Sequence, residues 1–177
     1  MVPKTIFLID MTLGYVAWAL CVANYVWPRL KAMDPAEAQR AIATLHSFRF
    51  FGLVFLLPGF VGPELPAAFA APTAYGDIAT ALLAISVLLT IRLPALFWPL
   101  VWAFNVVGAA DIVMDTVRAV STDLPSIAGQ LGAAYAIIIL YVPLLLITHG
   151  LAIYLLLRPA QVPAHLGSAE MPCVPNH

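Results

Sequence analysis

The stretch of sequence that decides the fold spans residues 124–157 and reads LPSIAGQLGAAYAIIILYVPLLLITHGLAIYLLL. It contains no Asp, Glu, Lys or Arg, and it exceeds the roughly 20 apolar residues that a helix needs to cross a bilayer. Pro125 and Gly129 predict a turn at its beginning, so the helix lies in the remainder. Pro143 falls in mid-helix and is expected to kink it or to open its hydrogen-bond ladder. Because neighbouring helices can satisfy the freed carbonyl in lipid, the stretch predicts a transmembrane helix.

The composition of the whole chain agrees with a bilayer as its solvent. Hydrophobic residues make up 63% and charged residues 10% of the chain, whereas soluble domains average roughly 45–50% and about 25%. The mean hydropathy is +0.96. There are too few charges for the surface of a soluble domain, and the chain is too apolar to be disordered. It has no Lys/Arg run or basic face, so nucleic acid is not an expected partner.

No sequence motif points to a familiar chemistry. Cys21 and Cys173 lie near opposite ends of the chain, which implies neither a disulfide framework nor a cysteine metal site. We therefore expect no bound metal ion. The sequence contains no Gly-x-x-x-x-Gly-Lys, no Gly-x-Ser-x-Gly and no His-Glu-x-x-His. Motifs therefore leave open whether the protein is an enzyme.

Four more apolar segments bring the predicted number of transmembrane helices to five. They cover approximately residues 5–27, 41–61, 74–91 and 93–117. We predict an all-α integral membrane bundle over residues 1–158 and a flexible, proline-containing cytoplasmic tail over residues 159–177. The first segment ends in Trp27-Pro28 rather than in small residues, so we expect a retained helix and not a signal peptide. The proline-rich connection 62–73 is expected either to fold back onto the bundle or to form a stiff surface link.

The basic residues predict an orientation for this bundle. Arg29, Lys31 and Arg40 lie between the first two segments, Arg92 lies between the third and fourth, and Arg158 follows the fifth. The connection 62–73 contains no Lys or Arg. By the positive-inside rule the basic connections are cytoplasmic, which puts the N-terminus outside and the C-terminus inside. We expect such a bundle in a bacterial inner membrane.

Ionisable residues inside apolar segments indicate where a functional site lies. Each costs about 2.5–3.5 kcal/mol to insert into a bilayer, so it usually faces a partner or a cavity. A cytoplasmic layer is predicted to hold His46, Arg49 and His149. Arg49 is expected either to extend to the headgroups or to bind an anionic group, a lipid phosphate or a substrate carboxylate. His149 is expected to bond a neighbouring helix, to transfer a proton or to ligate a metal.

An exterior layer is predicted to hold the acidic residues. These are Asp10, Asp77, Asp111 and Asp115. Asp77 is expected to complement the dipole at the first turn of the third helix. Asp115 and Arg118 are three residues apart on the fourth helix and are expected to pair.

Trp98, Trp102 and Asn105 form a stripe along the fourth helix. The stripe is interpreted either as the wall of a pocket with an amide at its base, or as helix surface in which Asn105 bonds a neighbouring helix. Together with Tyr141 on the fifth helix, and with Arg49 and His46, these residues are the predicted ligand-binding set.

Three functions follow from these residues. In the first, the bundle encloses a pocket for a lipophilic small molecule such as an isoprenoid, a sterol-like compound or a quinone. If chemistry occurs there, it is acid–base and isomerase-like: His149 or Asp111 moves a proton and Asn105 orients the substrate. In the second, the chain is a non-catalytic accessory subunit of a larger membrane complex or a homo-oligomer. In the third, His46 and His149 ligate a b-type haem. Membrane lipid is a partner in each case, and the cofactor stays open.

Overall fold

A computed structural model of the chain describes residues 2–158, so the predicted tail over residues 159–177 lies outside the described residues. Every secondary-structure element of this part is helical. The main helices are α1 (Pro3–Leu30), α2 (Pro35–His46), α3 (Ala67–Leu89), α4 (Pro94–Ser121) and α5 (Ala134–Leu157). Two 3₁₀-helices join them, Ser47–Leu56 after α2 and Leu124–Leu131 before α5.

Four of these helices, α1, α3, α4 and α5, are long and apolar enough to cross a membrane. They indicate an all-α membrane protein. The prediction of five spanning helices is therefore corrected to four within residues 2–158. α3 begins at Ala67, which makes it longer than the predicted segment 74–91 and turns much of the connection 62–73 into helix.

The segment that was expected to form the second spanning helix, 41–61, has a different structure. α2 begins at Pro35, where the Asp34 side chain caps it by accepting a hydrogen bond from the backbone N–H of Ala36 at 2.9 Å. The α-helix ends at His46, and a ten-residue 3₁₀-helix continues to Leu56. A 3₁₀-helix has three residues per turn, so side chains three apart share one face.

That periodicity explains which residues of the 3₁₀-helix are buried. Arg49, Gly52 and Phe55 are its buried residues and are spaced by three. Phe50 and Phe51, which lie between Arg49 and Gly52, are 41% and 50% exposed. On an α-helix, 100° per residue would rotate these three inward positions progressively around the axis. The hydropathy of this segment resembles that of a spanning α-helix, but its inward-facing residues repeat every three positions.

Two contacts made by charged side chains identify the opposite ends of the bundle. Lys4 at the start of α1 donates to Asp123, which follows α4, at 3.0 Å. At the other end, the Arg158 guanidinium lies 5.8 Å from the centre of the Trp27 ring and 4.9 Å from that of Tyr154. We call these the Lys4 end and the Arg158 end. α2 and the 3₁₀-helix after it return the chain toward the Lys4 end, but they are not among the four candidate spanning helices.

The disturbance predicted at Pro143 takes the form of a π-helical turn over Ile137–Tyr141, which ends two residues before the proline. A π-turn releases carbonyl groups from the regular ladder. One of them, the carbonyl of Leu140, accepts a hydrogen bond at 2.6 Å from the indole N–H of Trp18 on α1. The neighbouring helix thus supplies the donor that apolar surroundings would not.

The packing of the bundle places small and polar groups inside and large apolar groups outside. Ala74, Ala81 and Ala84 of α3 are at most 1% exposed, and such small residues let neighbouring helices approach closely. Large apolar residues with at least half of their area exposed cover the outside, among them Leu13, Leu20, Leu82, Leu89, Val106 and Val113. In water this surface would be unfavourable, whereas in lipid it requires no cover.

Candidate functional site

Arg49 is the largest fully buried side chain in the described part of the chain, with 1% of its area exposed. Its Nε donates to Asp77 Oδ1 at 2.7 Å and its Nη2 donates to Asp111 Oδ2 at 2.6 Å. Nη2 also lies 2.6 Å from Asp77 Oδ1, and Nη1 donates to the carbonyl of Gly108 at 3.3 Å. The planar guanidinium thus joins the 3₁₀-helix to both α3 and α4. A lysine could not satisfy this fork of acceptors with the same geometry.

Glycines make room for both carboxylates. A Cβ atom at Gly52 would overlap the carboxylate of Asp77, and one at Gly76 would overlap that of Asp111. Gly52 follows Arg49 by one 3₁₀ turn, and Gly76 precedes Asp77. Each glycine therefore lies close in sequence to one charged residue of the network and leaves room for the acidic side chain of a neighbouring helix.

A second ion pair lies on α4 toward the Lys4 end. Arg118 Nη1 donates to Asp115 Oδ1 at 2.9 Å, which confirms the predicted pairing. The same oxygen accepts the hydroxyl of Thr73 on α3 at 2.9 Å. We call Arg49, Asp77, Asp111, Asp115 and Arg118 the arginine cluster. The cluster joins three helical elements. Replacing one of its charged residues with a neutral one would leave a charge unpaired in an apolar interior.

An apolar cavity of about 250 Å³ adjoins this cluster in the Lys4 half of the bundle. Its walls come from α1, the first 3₁₀-helix, α3, α4 and α5. The apolar lining includes Phe7, Met11, Phe55, Ile112, Ile138 and Leu145. Arg49, Asp77 and Asp115 supply charged groups at its surface, and the rings of Tyr15 and Tyr141 line it as well. Such a cavity suits a molecule that is mostly apolar and has one polar group.

A separate polar chain runs from the histidines toward the Arg158 end. His149 Nδ1 lies 3.0 Å from Asn105 Oδ1, and Asn105 Nδ2 donates to Val101 O at 2.9 Å and to Gln39 Oε1 at 3.4 Å. Gln39 Nε2 in turn donates to Ala152 O at 2.9 Å. These side chains are at most 1% exposed. They bond α2, α4 and α5 to one another, as buried polar groups in membrane bundles do.

His46 belongs to the same region. Its Nε2 lies 2.9 Å from the Thr148 hydroxyl, which itself donates to Leu144 O at 2.8 Å. We call Gln39, His46, Asn105, Thr148 and His149 the histidine cluster. Gly108 separates the two clusters, because its carbonyl accepts from Arg49 while its Cα faces the ring of His149.

The rings of His46 and His149 are in direct contact, with centroids 4.0 Å apart and planes inclined by 47°. Two histidines that ligate one haem iron stand on opposite faces of the porphyrin. The observed contact leaves no gap for a porphyrin between the rings, so haem binding would require α2 and α5 to move apart. No group of three or more metal-ligating side chains occurs among residues 2–158.

The structure distributes the predicted ligand-binding residues over three places. Arg49 and Tyr141 line the cavity, and the Tyr141 hydroxyl donates to Leu45 O at 2.7 Å. His46 and Asn105 lie in the histidine cluster instead. The remaining two, Trp98 and Trp102, are 36% and 40% exposed on the outside of α4, away from the cavity.

The two residues predicted to move a proton, His149 and Asp111, are not part of the cavity lining. Asp111 reaches the cavity only through its bond to Arg49, and His149 is enclosed by Asn105, Phe104 and His46.

The structure overturns the predicted separation into two layers of polar residues. Arg49 was assigned to the cytoplasmic layer and Asp77 with Asp111 to the exterior one, yet these three residues form one ion-pair network. α3 begins at Ala67, seven residues earlier than predicted. Asp77 therefore lies about 15 Å from the start of the helix, at 1.5 Å per residue. It is therefore no first-turn residue.

Sequence reasoning missed Gln39 and Thr148 of the histidine cluster, and Thr73 beside Asp115. Thr73 lay in the segment that was read as a loop. For Arg49, the spacing Arg49–Gly52–Phe55 was the available signal, since it marks the inward face of a 3₁₀-helix.

The chain belongs to the family described as Domain of unknown function (DUF8737), whose model matches residues 6–157. No curated protein and no solved structure matches the chain. The matched residues include most of α1, all of α2 to α5 and both polar clusters.

Proposed function

We propose that this protein is an integral membrane protein that holds a lipophilic small molecule inside its helix bundle. The observation that carries the proposal is the cavity of about 250 Å³, whose apolar walls end on the buried guanidinium of Arg49. Ligand sites combine mostly apolar linings with a few fixed polar groups in this way. The volume lies just below the roughly 300–1,000 Å³ of typical ligand pockets, which favours a small lipophile or one end of an isoprenoid or quinone over a whole sterol.

The orientation that we propose follows the basic residues at the Arg158 end. Arg29 lies in the last turn of α1 and Lys31 follows it, Arg92 precedes α4, and Arg158 follows α5. This end faces the cytoplasm of a bacterial inner membrane, with the N-terminus outside. In that orientation the cavity lies in the outer half of the bilayer. Single cysteines introduced at Lys4 and Lys31 in a Cys21→Ser, Cys173→Ser background would test it, because an impermeant maleimide should label only the former in intact cells.

Acid–base chemistry on the ligand stays a prediction. Asp77 and Asp115 are the carboxylates that line the cavity, so a ligand proton would be within their reach rather than within that of His149 or Asp111. If the protein is an isomerase-like enzyme, the latter two act on the ligand only through Arg49 or after a movement of the bundle.

A non-catalytic accessory subunit is the second candidate, and the histidine cluster favours it. Asn105 and Gln39 bond α2, α4 and α5 to one another, as groups that hold helices together do. Under this alternative, Trp98 and Trp102 on the outside of α4 contact a protein partner or a second copy of the chain. Co-purification of a stoichiometric partner that Trp102→Ala releases would favour it.

The test of the pocket is a comparison of bound organic molecules. The protein is purified in mild detergent, extracted with organic solvent and analysed by mass spectrometry. Ala119 lines the cavity, whereas Val113 is 54% exposed on the same helix. We expect one lipophile in stoichiometric amount from the wild type and from Val113→Trp, and its loss from Ala119→Trp. Equal amounts from all three would contradict the proposal.

A further inference from the structure

The formal charges around the cavity do not balance. Asp77, Asp111 and Asp115 carry three negative charges, while Arg49 and Arg118 carry two positive ones. Burial makes an unpaired charge costly, because the interior does not solvate it as water does. The arginine cluster therefore requires one more positive charge, either a proton on a carboxylate or a cation beside it.

One carboxylate oxygen beside the cavity retains acceptor capacity. Asp115 Oδ1 accepts from both Thr73 and Arg118, so within the described residues its Oδ2 has no hydrogen-bond partner. Asp77 differs, since its Oδ1 accepts from Arg49 Nε and its Oδ2 lies against Gly52 of the 3₁₀-helix. Both side chains line the cavity and retain 13–17% of their exposure.

We infer that the cavity binds a lipophilic cation, specifically a protonated amine on a short apolar chain. This inference rests on the proposed function and names its ligand class. The ammonium group supplies the missing charge beside Asp77 and donates to the free oxygen of Asp115. Tyr15 and Tyr141 also line the cavity, and aromatic rings attract a cation that lies over them.

Other ligand classes satisfy the cavity less well. A carboxylate would add a fourth negative charge beside guanidiniums that already have partners. A neutral alcohol could donate one hydrogen bond, but a proton on a carboxylate would then have to balance the charge. A bare metal ion would leave the apolar walls unfilled, and the described residues contain no group of three ligating side chains.

The size of the cavity suggests the probe. At roughly 30 Å³ per water molecule in the liquid, a volume of about 250 Å³ corresponds to about eight non-hydrogen atoms. The matched series is n-octylamine, n-octanol and n-octanoate, which share a chain and differ in head charge. Near pH 7 the amine is protonated, as a lysine side chain is, and the carboxylate is ionised.

The experiment measures the affinity of the three probes for the full-length protein in mild detergent, by isothermal titration calorimetry against matched empty micelles. We expect octylamine to bind at least tenfold more tightly than octanol, and octanoate to bind most weakly. Octanol or octanoate binding as tightly as octylamine would overturn the inference and leave the proposed pocket standing. Absence of binding by all three, with an undiminished signal for folded protein, would contradict the proposed pocket itself and the inference with it.

Two variants test whether the Asp115 carboxylate causes the preference for octylamine. Asp115→Asn should lower the affinity for octylamine at least tenfold and leave that for octanol unchanged. Asp10→Asn is the matched control, because Asp10 accepts the Tyr135 hydroxyl at 2.7 Å and does not line the cavity. Equal octylamine affinity in Asp115→Asn, Asp10→Asn and the wild type would overturn the assignment to this site.

Discussion

Replacing Arg49 with methionine should be among the most damaging single substitutions in this protein. Methionine fills most of the volume but removes the charge and the hydrogen bonds to Asp77, Asp111 and Gly108. The side chains of the two carboxylates are only 13% and 10% exposed, so water cannot replace the guanidinium. Removing one partner of a buried ion pair typically costs about 3–5 kcal/mol, and we expect a loss of stability of that size.

Two further variants separate charge from shape. Arg49→Lys retains the charge but not the planar fork, so we expect a smaller loss of about 1–3 kcal/mol, the value of hydrogen bonds to charged groups. The triple variant Arg49→Met, Asp77→Asn, Asp111→Asn removes all three charges together. Because neutral replacements of whole buried ion pairs are often well tolerated, it should recover most of the stability that Arg49→Met alone loses.

The assay is reversible unfolding in mixed micelles, with SDS titrated in and tryptophan fluorescence and circular dichroism recorded together. Arg40→Met is the control, since Arg40 pairs with Glu37 at 3.3 Å on the surface with about half of each side chain exposed. Exposed pairs contribute about 0–1 kcal/mol. An Arg49→Met protein no less stable than Arg40→Met, or a triple variant as unstable as Arg49→Met, would refute the argument from the buried charge.

Three further predictions concern the glycines, the histidine cluster and haem. Gly76→Ala should destabilise by about 1–3 kcal/mol through overpacking against a carboxylate, whereas Gly150→Ala, which has open space around it, should be neutral or slightly stabilising in the same unfolding assay. Asn105→Leu leaves a buried ring nitrogen without its acceptor and should cost about 1–3 kcal/mol, while the exposed Asn24→Leu should change stability by less than about 0.5 kcal/mol. The purified protein should show no Soret band, because the two buried histidine rings contact each other; a band that disappears when either histidine is replaced would contradict this.

Hydropathy located most of the fold because lipid imposes a simple rule. A spanning helix must be long, apolar and internally hydrogen-bonded, and α1, α4 and α5 follow that rule closely. The rule does not predict the first 3₁₀-helix. Ser47–Leu56 is as apolar as a spanning α-helix, but its helix type is set by which residues face inward. That choice depends on the partners of Arg49, which lie on two other helices.

The candidate site was harder to predict than the fold for the same reason. Each ionisable residue was found from its apolar surroundings alone, but depth was judged from helix ends that were several residues in error. A shift of seven residues at the start of α3 moves Asp77 by about 10 Å at 1.5 Å per residue. That distance separates a residue at the membrane surface from a partner of Arg49, so the pairing required the structure.

The exposed tryptophans illustrate a second limit. Trp98 and Trp102 share a helix face with Asn105 by spacing, yet Asn105 is fully buried while the tryptophans are more than one third exposed. One face of a helix is wide enough to include both the interior and the boundary with lipid. Spacing groups residues on a face, but neighbouring helices decide which edge of that face is covered.

The central claim is that a lipophilic molecule enters the cavity beside Arg49, and photolabelling tests it most directly. An eight-carbon amine with a diazirine at its tail is irradiated with the protein in bilayers, and labelled peptides are mapped by mass spectrometry. We predict saturable labelling of Met11, Ile112 and Ile138, which line the cavity, and competition by unlabelled octylamine. Labelling confined to outward residues such as Leu13 and Val113, rising without saturation, would contradict the account.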